Sequence, residues 1–174
     1  MALINTTTTG IQGSTFVADG TGSLTVQQNG VTLGTYGNIP AFSAYASAAQ
    51  TVTTNTDTKV LFDTEQYDTN NNFASSRFTP TVAGYYQLNT RIRFNGTSPS
   101  QYVLYWYKNG ASVGLGAYYN ANLGVIFASA STLEYMNGTT DYIEIYTSTT
   151  ATSPSLSSTY SNTSFFSGFL AKAT

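Results

Sequence analysis

The sequence contains no cysteine and no histidine among its 174 residues. These two absences exclude disulfide bonds, catalysis by a serine–histidine or cysteine–histidine pair, and the usual zinc and copper sites. Charged residues make up only 8% of the chain, against about 25% in average globular proteins. With a net charge of -2, the chain has no basic field to hold a phosphate backbone, so we expect no nucleic-acid partner. Because acids are sparse as well, we predict that the protein is not an enzyme and has no cofactor.

Long hydrophobic runs are also missing from the sequence. No apolar stretch approaches the ~18 residues that a membrane-spanning helix needs, so we expect no membrane partner. Residues 1–10 lack the positively charged start and the apolar segment of a secretory signal. We therefore expect the chain to be made in a host cytoplasm without a signal peptide and to reach the outside of the cell within a larger particle.

Aromatic and hydroxyl-bearing residues are abundant instead. The chain has 14 Tyr, 10 Phe and 1 Trp, and threonine dominates its polar positions. Such residues suit the pleated surface of a β-sheet, whereas disordered chains lack them. The composition predicts an all-β protein whose hydroxyl and amide groups, rather than charges, keep it in solution.

Residues 1–38 differ from the rest and are predicted to form an arm that carries a β-hairpin. Two segments of alternating residues within Leu24–Tyr36 flank Asn29-Gly30, a dipeptide that favours tight hairpin turns. An isolated two-stranded hairpin is only marginally stable in water, so its apolar stripe must cover another surface. We assign attachment to this stripe, which contains Leu24, Val26, Val31 and Leu33.

Residues 39–174 read as many short strands separated by turns. Apolar and polar residues alternate after Gly84, and the segment 101–107 is apolar on both faces. About ten such strands predict a β-sandwich or jelly roll. The aromatic side chains exceed the needs of one small core, so we expect a closed trimer in which sister subunits cover some outer faces. The alternative is that these side chains only fill a single sandwich.

Four motifs in this region resemble the globular-head domain of complement component 1q and follow that family's order. They are Ile39-Pro40-Ala41-Phe42-Ser43-Ala44, Tyr67-Asp68 followed by Phe73, Phe78-Thr79-Pro80 with Gly84-Tyr85-Tyr86, and Phe166-Ser167-Gly168-Phe169-Leu170. The resemblance implies a ten-stranded jelly roll that forms a tight homotrimer and is related to tumour necrosis factor. We expect the core and the trimer interface to include Phe42, Tyr86, Tyr102, Leu104, Trp106, Phe165, Phe166 and Phe169.

The sequence departs from that family because the arm stands where a collagen-like stem is expected. The arm and the cysteine-free body, rich in Thr, Asn and Ser, resemble bacteriophage virion proteins that carry this domain. The resemblance implies a structural protein on the virion surface, a trimeric knob that decorates the capsid or ends a short head fibre. The arm would then bind another virion protein. The alternative is the receptor-binding tip of a tail fibre that recognises a host surface glycan.

Three groups of residues are candidate sites. Asp63, Glu65 and Asp68 are weak candidates for calcium ligands, because calcium prefers carboxylate oxygens, although a solvated loop explains them equally. A second group is predicted to form an exposed receptor-binding loop or to pack at a trimer apex, because adjacent tyrosines supply rigid contact area: Tyr118, Tyr119 and Asn120. The third group comprises arginines expected to pair with Glu134 or Glu144 across strands or subunits, namely Arg77, Arg91 and Arg93.

Overall fold

The computed structural model of the protein describes residues 14–18, 24–28, 31–36, 39–97, 100–121, 124–157 and 163–174, with side chains from residue 39 onward except Ala121. The chain divides into two compact units, Met1–Ile39 and Pro40–Thr174. The described residues form strands and turns. None of them belongs to a helix long and apolar enough to cross a membrane.

The N-terminal unit contains three strands, β1 (Ser14–Ala18), β2 (Leu24–Gln28) and β3 (Val31–Tyr36). They form an antiparallel sheet in the order β1-β2-β3. Strands β2 and β3 occupy the two segments whose alternation predicts a hairpin, and β1 adds a strand that the sequence analysis did not predict. The turn dipeptide Asn29-Gly30 and the side chains of Leu24, Val26, Val31 and Leu33 lie outside the described residues, so attachment through the stripe stays a prediction.

The described part of the C-terminal unit contains thirteen strands, five of which have only two residues. They are β4 (Ala41–Tyr45), β5 (Gln50–Thr51), β6 (Thr58–Lys59), β7 (Thr64–Asp68), β8 (Phe73–Ala74), β9 (Arg77–Phe78), β10 (Gly84–Asn95), β11 (Ser100–Lys108), β12 (Ala111–Ala121), β13 (Val125–Met136), β14 (Ile143–Thr149), β15 (Ser155–Leu156) and β16 (Phe165–Ala173). The eight longer strands form most of both sheets, and the five short strands pair, directly or through one another, with β10 or β14.

Two antiparallel sheets form the sandwich. The first sheet joins β5, β15, β10, β16, β4 and β7, with β13 also paired to β10; the second joins β12, β11, β14, β9 and β8, with β6 paired to β14. The alternation after Gly84 explains the core, since the even-numbered residues of β10 are buried and the odd-numbered ones face outward. The predicted all-β jelly roll is confirmed.

The segment from Thr58 to Asp68 differs from the prediction. The sequence favours a strand at Lys59–Phe62, but only Thr58–Lys59 is a strand, and β7 forms where we expected an acidic loop. Val60 and Phe62 are buried but do not belong to a strand. Their backbone amides still have partners, because Val60 donates to the carbonyl of Ile145 and Phe62 donates to the hydroxyl of Ser76. Strand β7 is an edge strand with three exposed side chains, so it shows no apolar alternation.

Gly84 begins β10 where β16 lies too close for a side chain. A Cβ at this position would lie 2.4 Å from the carbonyl oxygen of Lys172 and 2.7 Å from Cδ1 of Leu170. We expect Gly84→Val to lower the free energy of unfolding by about 2 kcal/mol or more, because backbone atoms cannot make room cheaply. Chemical denaturation measures this loss. An unchanged denaturation midpoint would show that β16 does not pack against residue 84.

Candidate functional site

Each of the four sequence motifs contributes at least one residue to a single buried aromatic cluster. The Phe42 ring stacks on Phe78 at 4.2 Å and on Phe73 at 5.0 Å between ring centroids, and Phe166 meets it edge-on at 4.8 Å. Tyr86 contacts Phe78 at 5.3 Å, and its buried hydroxyl donates to the carbonyl of Val82 at 2.8 Å. Burial raises the pKa of Tyr86 to about 12. These motif residues therefore pack the interior of one subunit, whereas the motif residues Tyr85 and Phe169 are exposed.

The predicted core and interface set separates into two groups. Six of its eight residues are buried in the core of one subunit and are not available to a partner: Phe42, Tyr86, Tyr102, Leu104, Trp106 and Phe166. Phe165 is half-buried and Phe169 is 47% exposed. Both belong to β16 and pair with odd-numbered residues of β10, which face away from the core. Of the eight predicted residues, these two are the ones that can contribute to an interface on that face.

The outward face of the first sheet carries an apolar patch of four residues, of which the sequence analysis placed only Phe169 in the predicted core and interface set. Strand register places Tyr135 opposite Tyr85 and Leu133 opposite Gln87, whose other neighbour is Phe169. The two tyrosine rings lie 5.5 Å apart. We name this set the outward patch; its exposed fractions are 42% for Tyr85, 55% for Leu133, 42% for Tyr135 and 47% for Phe169. Contiguous exposed apolar surface of this kind marks an interaction site.

Polar residues in the middle of the same face bond to one another. The Gln87 side-chain amide donates to the Ser131 hydroxyl at 2.7 Å, and that hydroxyl donates to the Asn89 side-chain oxygen at 2.9 Å. A cavity of about 340 Å³ adjoins them, lined in part by Asn89, Ser131 and Phe165. Because these polar groups bond to one another, they would keep these hydrogen bonds if another protein surface covered the face.

Arginines occupy the far end of this face. The guanidinium of Arg91 lies 5.3 Å from the Phe165 ring centroid and donates to the carbonyl of Thr163 at 3.1 Å. Arg93 donates to the hydroxyl of Ser157 and lies 6.0 Å from the ring of Phe127, a side chain that is 51% exposed. Apolar surface and cations are thus combined at this end.

Arg77 is placed against one of its two predicted acidic partners, Glu144. The Arg77 Nε lies 2.9 Å from Glu144, and the Lys59 Nζ lies 2.7 Å from the same oxygen. Burial raises the pKa of Glu144, but its hydrogen bonds and charge interactions with Lys59 and Arg77 outweigh that effect and leave the pKa lowered. Arg77 also stacks on Tyr142, 3.8 Å from the ring centroid. This network links β6, β9 and β14 and is structural.

The outer surface of the second sheet carries a cluster of tyrosines. Tyr107 stacks on Tyr146 with 3.9 Å between centroids and meets Tyr105 edge-on at 6.4 Å. Its hydroxyl donates to the Asp57 carboxylate at 2.6 Å. That hydrogen bond is the main cause that raises the pKa of Tyr107 to about 12, because ionisation would place two negative charges in contact.

We expect Asp57→Asn to return the pKa of Tyr107 from about 12 towards its ordinary value of 10.0. Since the pKa is raised on folding, the contact stabilises the protein fully below pH 10 and is lost as pH rises through 12. A tyrosinate titration followed by NMR of labelled tyrosine measures the change, with Asp63→Asn as a carboxylate control elsewhere. An unmoved titration would show that Asp57 is not the partner.

The predicted receptor loop is part of a strand. Tyr118, Tyr119 and Asn120 lie within β12 rather than in a loop. Loop formation was favoured by the Tyr-Tyr-Asn-Ala-Asn composition, but pairing with β11 places Tyr118 opposite Val103 and Tyr119 opposite Tyr102. All three side chains are exposed. Receptor contact and packing at a trimer apex both stay predictions for these three residues.

The calcium candidates do not converge. Asp63 precedes β7 and Asp68 ends it, about 16 Å apart along an extended strand. Asp63 accepts from the amide and hydroxyl of Ser47, which lowers its pKa, and Asp68 accepts from the amide of Phe73 at 2.6 Å. Within the ranges that the structure describes, no three acidic residues form a group that could hold a metal ion.

Similar structures share the sandwich. The globular domain of zebrafish complement 1qA has a TM-score of 0.58 and 18% identity, over 78% of this chain and 99% of that chain. Murine APRIL at pH 8.5 has a TM-score of 0.55 and 12% identity, over 76% and 98% of the two chains. The Eiger TNF of S. frugiperda has a TM-score of 0.52 and 11% identity, over 79% and 95%.

Sequence comparison gives the family. No curated protein matches the chain. The model of the C1q domain matches residues 41–171, which span most of the C-terminal unit. The match includes all four motifs described above, apart from Ile39 and Pro40 at the start of the first one. The match coincides with the sandwich and leaves the N-terminal unit outside it. The chain belongs to the C1q-domain family.

Proposed function

We propose that this chain is a non-enzymatic phage virion surface protein whose C1q domain forms a homotrimeric knob and whose N-terminal unit attaches the knob to another virion protein. C1q and TNF-like domains are typically trimeric globular modules and generally serve in binding. The observation that carries the proposal is the outward patch. In a single subunit its four large side chains are between 42% and 55% exposed to water.

Trimer formation would remove this surface from solvent. Complete burial of a large apolar side chain is worth about 1.5–3 kcal/mol, and these side chains are already partly covered, so each gains part of that amount. The bonded polar residues Gln87, Asn89 and Ser131 add little penalty, since they keep their internal partners. A three-fold ring closes on itself, so no apolar surface remains to start a filament.

The virion assignment draws on composition and on the N-terminal unit. The chain carries 8% charged residues and no cysteine, and a compact three-stranded unit precedes the C1q domain. This unit stands where the family resemblance leads one to expect a collagen-like stem. It supplies a separate element for attachment, and the C1q domain is then free to project from the particle.

Deleting residues 1–38, which removes the whole arm with its apolar stripe, tests the attachment role. We expect the truncated protein to be lost from purified virions while its trimer melts as the full chain does, because the deletion removes no residue of the C1q domain. Quantitative immunoblotting of virions from a complemented deletion phage measures incorporation. Full occupancy by the truncated protein would return attachment to the C1q domain.

A second candidate function is the tip of a tail fibre that binds a host surface glycan. The exposed tyrosines Tyr118 and Tyr119 on β12 favour it, because tyrosine supplies rigid contact area at low entropic cost. Copy number separates the two functions. Mass spectrometry of intact virions would find hundreds of copies for a capsid decoration and a handful for a tail tip.

A further inference from the structure

We propose that a shallow cavity on the outer surface of the second sheet binds a neutral oligosaccharide. The cavity has a volume of about 290 Å³ and lies over β11, β12 and β14. This is close to the lower limit of ligand pockets, roughly 300 Å³. It accommodates one sugar unit, and the neighbouring units of a chain would lie along the exposed strand β12. We call it the second-sheet cavity.

The apolar walls of the second-sheet cavity are the first feature that suits it to bind a sugar. Its lining includes Val103, Tyr105, Leu115 and Tyr118. Leu115 is 60% exposed and Tyr118 is 48% exposed, so both project into solvent beside the cavity. The C–H groups of a sugar ring pack well against such surfaces, because an aromatic face carries partial negative charge.

The aromatic wall is held in place before any ligand binds. Tyr105 rests edge-on against Tyr107, which stacks on Tyr146 at 3.9 Å and donates to Asp57 at 2.6 Å. These contacts restrict the ring of Tyr105, which lines the cavity and would otherwise lose freedom on binding. A preorganised wall therefore lowers the entropic cost of association.

Amide groups supply the polar rim. The backbone of Gln101 is fixed by hydrogen bonds between its amide and the Thr150 hydroxyl at 2.9 Å and between its carbonyl and the Thr149 hydroxyl at 2.6 Å. The backbone amide of Asn55 donates to the carbonyl of Thr149 at 2.8 Å. Both side chains are exposed and line the cavity. A side-chain amide donates and accepts at once, which matches the hydroxyl groups of a sugar.

The charge of the lining selects the class of ligand. None of the described residues that line the second-sheet cavity is charged. The nearby carboxylate of Asp57 is outside the lining and accepts from Tyr107. An acidic sugar would give up hydration without meeting a cation, whereas a neutral sugar gains hydrogen bonds and apolar contact. A neutral oligosaccharide is therefore the favoured ligand.

This inference rests on the second candidate function, glycan recognition, and names its site and ligand class. Its test uses the purified full chain and a panel of immobilised oligosaccharides. The neutral members contain glucose, galactose, mannose, rhamnose or N-acetylglucosamine, and the acidic members contain sialic or uronic acid. We expect at least one neutral member to bind and Tyr118→Ala and Gln101→Ala each to weaken that binding by about tenfold.

Tyr67→Ala provides the matched control, because Tyr67 is 52% exposed but lies on β7 in the first sheet. It should leave binding unchanged. Three results would overturn the proposal: no binding of any neutral member, preferred binding of acidic members, or equal losses for Tyr67→Ala and Tyr118→Ala. Light scattering and virion copy number are independent of this assay, so a failure here leaves the trimeric knob standing.

Discussion

Replacing Gly168 by valine is expected to lower the free energy of unfolding of the C1q domain by about 3 kcal/mol. Gly168 lies in β16 between β10 and β4, paired with Leu88 on one side and Phe42 on the other. A Cβ there would lie 2.5 Å from Cδ2 of Leu88, 2.9 Å from Cε1 of Phe42 and 3.1 Å from the carbonyl oxygen of Gln87. The Phe42 ring cannot move away, because Phe73, Phe78 and Phe166 surround it.

Gly114→Val is the matched control for this prediction. Gly114 also lies within a long strand, β12, but a Cβ there would meet no atom within 4 Å. We expect the control to denature within error of the unmodified protein in urea. Equal midpoints for the two variants would mean that β16 does not approach the core as closely as described.

Replacing Leu133 by aspartate is expected to convert the proposed trimer into folded monomers. Leu133 is 55% exposed and lies opposite Gln87 in the row that also contains Phe169. Three copies of the variant would each bury an unpaired carboxylate in the interface, at a cost of several kcal/mol per ion. In the monomer the same side chain faces water, so the fold itself should survive. Light scattering reports the mass, and circular dichroism reports the fold.

The matched control is Leu115→Asp, because Leu115 is 60% exposed on a strand of the second sheet. We expect this variant to remain a trimer and to lose oligosaccharide binding, the opposite of the result for Leu133. If Leu133→Asp stays trimeric, the outward patch is not the interface. If Leu115→Asp dissociates instead, the two faces have been assigned the wrong way round.

The sequence alone was sufficient to predict the fold and part of its core. Motif residues such as Phe42, Phe78 and Phe166 lie in one aromatic cluster, because they come from segments that the jelly roll brings together. The alternation of β10 also predicted which of its faces is buried. The same signals could not tell a packing residue from an interface residue, since both are large and apolar.

Leu133 and Tyr135 of the outward patch escaped prediction because β13 inverts the usual pattern. Its large side chains Phe127, Leu133 and Tyr135 face outward, while the core-facing positions include the small residues Ala128 and Ala130. Read alone, the larger residues of such a strand would be placed inside. Only the register with β10, which sets Tyr135 opposite Tyr85, assigns the faces. Large residues that alternate with alanine are the sequence signal that an interface search can use.

We propose that the outward patch joins three copies of this chain. Static light scattering coupled to size exclusion, on the full-length protein at micromolar concentration, tests it most directly. The proposal predicts one species with three times the chain mass of 18.6 kDa. A single species of 18.6 kDa would contradict it, because the four side chains of the outward patch would then remain in water.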